Sequence, residues 1–351
     1  MDLEKSLDKI RDYLKGKRII VAFSGGADST LLAKLAVDSS SEALAVTVDN
    51  GVLPRDCIAN AKMIAAKIGI PHQVLSANYL LDESFSSNPP QRCYICKNKM
   101  YDKLEEFAQT KEFENIADGT NISDLLDDRP GIMVNYQKKI LTPLVYGGMT
   151  AEDVRNALKL FKLEYSSSTT CYATRISTGA KITPKKINRI AYGETLIKNI
   201  TREKVIRVRD DDGEARIEVS NVDMFLNNGI LRHISSELNA VGFKKVLLDV
   251  TGNGDSKKDI VIYKPCKDEA NKIMFETELP FEINIQDTCK ELEELGEDIK
   301  CSIQMGVIMM EFGGRNVTIF RKGKIVARRV KDREDARDLM VKVLPLIRRV
   351  I

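Results

Sequence analysis

The chain has 351 residues, of which 30% are charged, and its formal net charge is +3. The hydrophobic content of 43% is ordinary for a globular protein, and the length predicts two or three domains. So balanced a charge does not by itself indicate nucleic-acid binding, and no apolar run is long enough to span a membrane. The segment 1–17 is amphipathic and has no signal-peptide core, so we expect a cytoplasmic protein.

The segment 18–36 predicts a strand, a tight loop and a helix. Apolar β-branched residues at 19–23 are typical of a buried parallel strand, and leucines and alanines at helical spacing follow at 31–36. Between them stand Ser24, Gly25, Gly26, Asp28, Ser29 and Thr30. Glycines admit a phosphate close to the backbone, hydroxyls can donate to it, and a helix N-terminus attracts anions. We therefore predict a phosphate site; the alternative is a plain turn capped by Asp28.

The rest of the first third alternates strands with helices, which predicts an α/β fold with a parallel sheet. Strands are predicted at 43–48, 72–75 and 115–117, and helices at 55–68 and from about 96. Polar residues at strand ends should border a nucleotide, which singles out Asp49, Gly119 and Thr120.

Three further predictions concern the residues up to 161. The stretch 124–131 has the composition of a mobile loop, and 141–144 with 150–161 predicts a last strand–helix pair. On that helix, Arg155 is a candidate phosphate contact, although a solvated surface arginine fits the pattern equally well.

We place domain boundaries after residues 165 and 255. In the second domain a helix is predicted at 184–200, strands at 204–209, 215–219 and 245–250, and a helix at 224–241. Arg207 and Arg209 alternate onto one face of a strand, where they suit a phosphate or carboxylate, unless that face is simply exposed.

The third domain, 256–351, follows a predicted linker at 252–258. It should end in strands at 307–312, 316–320 and 325–330 and a helix at 334–348. Residues 315–351 contain twelve Lys and Arg against four Asp and Glu, which predicts a basic surface for an anionic partner. An appended oligomerisation or regulatory domain is the alternative.

Seven cysteines stand at positions 57, 93, 96, 171, 266, 289 and 301. In a cytoplasmic chain they are better interpreted as metal ligands or reactive thiols than as disulfides. Cys93 and Cys96 form one CxxC at a predicted helix start, where the helix dipole, Arg92 and Lys97 should lower their thiol pKa.

No second pair or suitably spaced histidine completes a zinc site. With Cys171 there are three thiols and no evident fourth ligand, which suits a 4Fe-4S cluster with one open iron. The alternative is an isolated Cys171 and an incidental CxxC. Cys57 is assigned to packing, and the last three cysteines receive no role.

The glycine loop resembles the PP-loop of the ATP pyrophosphatases. Together with Asn-Pro-Pro-x-Arg-Cys-Tyr-x-Cys-Lys at 88–97, Asp-Gly-Thr-Asn at 118–121 and Cys-x-x-x-Arg at 171–175, it makes residues 1–255 similar to the LarE family. These are ATP-dependent sulfur transferases that build the pyridinium thiocarboxylate of the nickel-pincer nucleotide. The resemblance implies a PP-loop fold, Mg²⁺, cleavage of ATP between its α and β phosphates, and adenylylation of a carboxylate. Residues 256–351 exceed the usual family length.

The resemblance also implies roles for individual residues. Cys93, Cys96 and Cys171 would hold a 4Fe-4S cluster that passes on a sulfide from an external donor, sulfide itself or a sulfur carrier. In single-cysteine members the residue matching Cys171 instead gives up its own sulfur. Arg175, Arg207 and Arg209 would hold the substrate's phosphate and carboxylates, and Glu194 is a loose match to a family acid. The candidate catalytic residues are therefore Cys171, Asp28, Arg175 and Glu194.

Two other functions remain open at this stage. Certain tRNA thiolases also combine a PP-loop with three cluster cysteines, and the basic segment 315–351 would suit RNA. A non-catalytic nucleotide sensor is the third hypothesis, against which the intact loop and the cysteines argue. We expect a homo-oligomer without membrane contact.

Overall fold

The computed structural model describes residues 3–167, 170–203, 205–250, 261–263, 273–293 and 298–351. Its first sheet is parallel throughout, in the strand order β3-β2-β1-β4. The strands are β1 (Arg18–Ala22), β2 (Glu42–Asp49), β3 (His72–Ser76) and β4 (Asn115–Ala117). The sheet confirms the predicted PP-loop α/β fold. Because the strands are parallel, their carboxyl ends lie on one edge, where the predicted site residues are expected to meet.

Helices cover both faces of this sheet. They are α1 (Leu3–Leu14), α2 (Ala27–Ser39), α3 (Arg55–Ile68), α4 (Glu83–Ser86), α5 (Arg92–Thr110), α6 (Ile122–Leu125), α7 (Ile132–Gln137), α8 (Pro143–Tyr146) and α9 (Ala151–Leu160). Alternate residues of β1 point to opposite sides: Ile19 and Val21 pack with α1, α2 and α9, whereas Ile20 packs with α5. The first strand is therefore buried on both faces, as its apolar run predicts.

Two local predictions in this region are wrong in part. The loop predicted at 124–131 begins only after Leu125, because Asn121 and Asp124 make a capping box that starts α6, and Asp124 is buried. Residues 126–131 contain no helix or strand. The predicted strand at 141–144 reduces to a single bridge between Leu141 and Ala117. Pro143 then opens α8, a position that suits a residue without a backbone N–H.

The second sheet has the order β5-β6-β7, with an antiparallel and then a parallel pairing. Its elements are α10 (Pro184–Thr201), β5 (Ile206–Asp211), β6 (Glu214–Val219), α11 (Asn228–Ala240) and β7 (Lys245–Asp249). Its core also includes Val52, Tyr79 and Phe85, which come from the part of the chain that forms the first sheet. The second unit is thereby packed beside the carboxyl end of β2.

The third sheet is antiparallel, in the order β10-β11-β12-β13-β9-β8. Its elements are β8 (Val261–Tyr263), β9 (Ile273–Glu278), α12 (Ile285–Glu293), β10 (Ile299–Ser302), β11 (Val307–Phe312), β12 (Arg315–Phe320), β13 (Lys324–Val330) and α13 (Arg333–Val343). The predicted final helix is shorter than expected, because a 3-10 turn containing Pro345 replaces its last part. We call residues 273–293 and 298–351 the C-terminal unit.

The expectation that the cysteines avoid disulfides is wrong for one pair. Cys289 of α12 and Cys301 of β10 are disulfide-bonded, twelve residues apart. The helix packs on the strand there, which brings the two side chains together. The predicted linker 252–258 and Cys266 lie outside the described residues.

Each sheet falls within one predicted range, so we propose domains at 1–165, 166–255 and 256–351. Across the described part of the chain, every helix is too short or too polar to cross a membrane.

Candidate functional site

Side chains of the glycine loop between β1 and α2 fix its conformation through hydrogen bonds within the loop. Ser24 Oγ lies 3.1 Å from Ser29 Oγ and accepts from the Gly26 amide at 3.2 Å. Gly25 has a φ of +74°, which favours glycine, and a Cβ there would stand 3.1 Å from Ala61 Cα. Within the described residues no side chain caps the α2 N-terminus at Gly26, so its first N–H groups remain available to an anion.

A buried hydroxyl lies just behind this N-terminus. Thr30 Oγ1 is fully buried and has no hydrogen-bond partner within the described residues. Its amide donates to the Gly26 carbonyl at 2.9 Å, so the residue belongs to the first turn of α2. The residues predicted for a phosphate site thus lie together around the start of α2, with the Thr30 hydroxyl buried rather than exposed in the loop.

The Asp-Gly-Thr-Asn turn after β4 presses against the same helix start. A Cβ on Gly119 would lie 2.8 Å from the Asp28 carbonyl carbon and from the Ser29 amide, so only glycine fits. Asn121 Nδ2 donates to Asp28 Oδ1 at 2.8 Å. Burial raises the pKa of Asp28 above its usual value, although Asn121 and the nearby cations Arg129 and Arg155 oppose that shift.

Arg155 is exposed on α9, near enough to influence Asp28 electrostatically. Arg129 has the same effect on Asp28 and pairs with Asp124 at 2.6 Å. Sequence reasoning missed Arg129, because it stands in a polar stretch without a periodic pattern.

Beneath the turn, Asp118 organises a buried network that the sequence analysis also missed. Its carboxylate accepts from Tyr101 at 2.6 Å, from Lys97 at 2.9 Å and from Asn135 at 3.0 Å, and its other oxygen accepts from the Thr120 amide. Burial alone would raise the pKa of Asp118, but Lys97 and these hydrogen bonds lower it to about 2. Thr120 is thereby fixed beside Gly119 and accepts from Asn135 at 3.1 Å.

The end of β2 connects the nucleotide edge to the cysteines. Asp49 Oδ1 accepts from the Gly51 amide, which shapes the turn, and Asn50 Nδ2 lies 3.6 Å from Cys96 Sγ. The Tyr172 amide donates to the Val52 carbonyl at 2.9 Å, so the segment after Cys171 is tied to the same turn.

Arg92 joins the CxxC to that segment. Its guanidinium lies 3.6 Å from Cys93 Sγ and donates to the Ala173 carbonyl at 3.1 Å. Cys96 and Cys171 pack in one apolar cluster, and each is influenced electrostatically by Cys93. The structure thus brings Cys93, Cys96 and Cys171 together at the carboxyl edge of the first sheet.

The expectation of an acidic thiol is wrong for Cys96. The helix begins at Arg92 rather than near residue 96, so the CxxC occupies its first turn. Burial nevertheless raises the pKa of Cys96 to about 12, with a further contribution from Cys171. Burial also raises the pKa of Cys171. Desolvation outweighs the dipole and the cations here, and deprotonation would have to accompany binding of a metal.

Among the described residues, three candidate metal-ligand atoms lie within 4.8 Å of one another at Cys289, Glu293 and Cys301 alone. That cysteine pair is disulfide-bonded, so neither sulfur is a thiolate. The sulfurs of Cys93, Cys96 and Cys171 therefore do not all lie within 4.8 Å of one another.

Arg175 is buried, with Nε donating to Glu194 Oε1 at 2.7 Å and Nη1 donating to Thr174 Oγ1 at 2.8 Å. The Glu194 carboxylate also accepts from the Val208 amide at 3.2 Å. These contacts suit a positioning role for Glu194. Arg209 pairs with Glu218 through both ends of its guanidinium and donates to the Thr174 carbonyl at 3.1 Å.

A cavity of about 140 Å³ lies between α3 and the second sheet. Three cationic residues, Arg175, Lys198 and Arg207, line it together with one acid, Asp56. Ser166 also lines it, with a buried hydroxyl that has no partner among the described residues and an amide that donates to the Gly25 carbonyl at 2.8 Å. An anion could occupy this cavity beside the glycine loop. Lys198 was not predicted as a site residue, because no motif in the sequence of α10 indicates a binding role for it.

Several residues of the predicted basic surface make contacts within the protein. Arg315 pairs with Asp335, Arg337 with Asp153, Arg348 with Glu291 and Arg349 with Asp128. Lys324 pairs with Glu276, and Lys342 lies over the Phe312 ring. At least five of the twelve cations thus pair with acids, which weakens the positive surface that the sequence predicts.

Comparison with known proteins agrees with this architecture. The family model described as queuosine biosynthesis protein QueC matches residues 18–101, the part that carries the glycine loop and the CxxC. The uncharacterized protein slr1717 of Synechocystis is 31% identical over 269 residues, which cover 75% of this chain and all of the relative. The chain belongs to the slr1717 family. A quarter of it has no counterpart in slr1717 itself.

Two further relatives carry functional names. Pyridinium-3,5-bisthiocarboxylic acid mononucleotide synthase of Lactiplantibacillus plantarum is 27% identical over 67% of this chain and 87% of its own length. The tRNA-specific 2-thiouridylase MnmA of Treponema denticola is 31% identical over 29% of this chain and 32% of its own length. The slr1717-family chain is thus similar to the synthase along most of both proteins, whereas the match to MnmA covers less than a third of each.

Proposed function

We propose that this chain is an ATP-dependent sulfurtransferase that activates a carboxylate of a pyridinium mononucleotide and replaces its oxygen with sulfur. The observation that carries the proposal is the convergence of Cys93, Cys96 and Cys171 on the sheet edge that holds the glycine loop. The similarity to the pyridinium-3,5-bisthiocarboxylic acid mononucleotide synthase supports this substrate class.

In the first step, the loop amides and the start of α2 would bind the ATP phosphates, and Asp28 would hold Mg²⁺. A substrate carboxylate oxygen attacks the α phosphorus, the bond to the bridging oxygen of the β phosphate breaks, and pyrophosphate leaves. Arg129 and Arg155 offset the negative charge near Asp28. The product is an acyl adenylate, whose AMP group departs more readily than an oxide would.

In the second step, a sulfide-level nucleophile attacks the acyl carbon, and the bond to AMP breaks to leave a thiocarboxylate. No oxidant or reductant is needed. Cys93, Cys96 and Cys171 would hold a 4Fe-4S cluster, which supplies an open iron for binding sulfide. The anionic substrate would lie in the cavity of Arg175, Lys198 and Arg207, with Glu194 and Glu218 orienting Arg175 and Arg209.

The first experiment tests the ATP half-reaction. Wild-type protein with Mg·ATP and the pyridinium dicarboxylate mononucleotide should release pyrophosphate, and AMP should follow once sulfide is supplied. Ser24→Ala and Asp28→Ala should abolish release, because both residues shape the phosphate site. Unchanged pyrophosphate release in both variants would reject the ATP site.

The second experiment tests the cysteines. Anaerobically purified protein should be brown and contain about four irons per chain. Serine at 93, 96 or 171 should remove the iron, whereas Cys57→Ser, which changes a thiol outside the group, should keep it. Colourless protein that binds only zinc would reject the cluster. After turnover, a loss of about 34 Da at Cys171 would mean that its own sulfur was consumed, and an unchanged mass would support sulfide transfer.

A tRNA substrate is the second candidate, because MnmA shares part of the chain. The structure offers it less support than the sequence does, since several of the basic residues of 315–351 are paired with acids. Salt-dependent retention of RNA by the purified protein would favour tRNA over the mononucleotide.

A further inference from the structure

We infer that the C-terminal unit holds one wall of the ATP site in position. The wall consists of residues 121–137, that is, α6, α7 and the turn between them. The inference rests on the proposed function, because it takes ATP to be the ligand of the glycine loop.

Apolar packing joins the C-terminal unit to this wall. Ile122 and Leu125 of α6 are buried in the same cluster as Leu344 and Ile347 of the C-terminal unit. Ile132 of α7 packs against that cluster as well. One side of the wall is therefore covered by the added unit rather than by water.

Two arginines add directional contacts. Arg349 Nη2 lies 2.7 Å from Asp128 Oδ1, in the turn between α6 and α7. The Arg348 guanidinium lies 3.8 Å from the centre of the Tyr136 ring and is held by Glu291 at 2.8 Å. These contacts fix the turn and α7 to the C-terminal unit.

The opposite side of the wall faces the reaction site. Asn121 donates to Asp28, and Asn135 donates to Asp118 and Thr120. Near the end of α7, Gln137 accepts from Tyr94 at 2.7 Å, within the first turn of the CxxC helix. A shift of the wall would therefore displace the partners of Asp28 and of the CxxC helix together.

Charge reversal at the exposed residue Asp128 tests this inference. Asp128→Lys should place a cation against Arg349, raise the dissociation constant of Mg·ATP up to about fivefold, and speed amide hydrogen exchange within 121–137. The swapped pair Asp128→Lys with Arg349→Glu should restore affinity and exchange to within about twofold of wild type. Calorimetry with Mg·ATP on the full chain gives the affinity.

Glu276→Lys is the matched control, because it changes an ion pair with Lys324 that joins two strands of the third sheet and includes no residue of the wall. It should leave ATP affinity and the exchange of 121–137 unchanged. The inference fails if Asp128→Lys changes neither quantity, or if Glu276→Lys changes both equally. Wild-type protein that bound no ATP would instead overturn the proposed function, and this inference with it.

Discussion

The side chains of Asn121 and Asp28 are 93 residues apart in sequence and share one hydrogen bond of 2.8 Å. Asn121 also caps α6, where its side-chain oxygen accepts from the amides of Ser123 and Asp124. One residue therefore both starts the short helix and orients the carboxylate at the phosphate site.

Asn121→Ser separates these two roles. Serine keeps an oxygen that can cap α6 but has no amide to reach Asp28. We expect the dissociation constant of Mg·ATP to rise about tenfold, since hydrogen bonds to charged groups contribute about 1.5–3 kcal/mol. The free energy of unfolding should change little. Calorimetry and urea unfolding measure the two quantities, and wild-type ATP affinity in Asn121→Ser would show that the contact does not orient Asp28.

Asp118→Asn should destabilise the protein in a pH-dependent way. The pKa of Asp118 is lowered to about 2 in the folded chain, so its ionised form contributes stability above pH 4 that is lost as the pH falls towards 2. Wild type should therefore exceed the variant by about 2 kcal/mol at pH 7, and the difference should shrink in acid. Urea unfolding at pH 7, 5 and 3 measures this. Asp8→Asn, which changes an exposed carboxylate, should show no comparable difference.

The contribution of Asp124 to stability should depend on pH in the opposite direction to that of Asp118. Burial raises its pKa to about 6, although Arg129 opposes the shift. Between pH 4 and 6 the folded state then binds more protons than the unfolded state, so this group's contribution to stability falls as the pH rises. The unfolding free energy of wild type relative to Asp124→Asn should decrease by up to about 3 kcal/mol across that range. A constant difference would contradict the raised pKa.

Cys301→Ser tests the disulfide of the C-terminal unit. The bond closes a loop of twelve residues, and in the chain-entropy treatment such a loop contributes about 3 kcal/mol. The variant should unfold more readily than wild type under non-reducing conditions and equally readily with a dithiol reductant present. Mass spectrometry of intact wild-type protein should show about 2 Da less than its reduced form. If wild type and Cys301→Ser still differ in unfolding free energy under reducing conditions, Cys301 acts through packing instead.

Much of the fold follows from local sequence signals. The helix at 55–68 and the strands at 115–117 and 307–312 were predicted with their observed bounds. Helix α3, for example, ends where Gly69 adopts a left-handed φ of 81°, which few other residues tolerate. Periodicity and such stop signals are encoded within a few neighbouring residues, so the sequence reveals them.

The candidate site was only partly predictable, because its geometry depends on distant residues. The glycine loop and the three cysteines are recognisable as patterns, but Tyr101, Lys97 and Asn135 become partners of Asp118 only after folding. Burial is equally invisible in the sequence. For that reason the helix dipole and neighbouring cations predicted acidic thiols, whereas desolvation dominates at Cys96.

The shared apolar cluster of Ile122, Leu125 and Val145 with the C-terminal unit has an evolutionary consequence. A module joined only by a flexible tether could be exchanged between homologues without altering either part. Here the first domain presents apolar side chains to the C-terminal unit. Fusing that unit to a shorter homologue would therefore require matching apolar substitutions at those three positions.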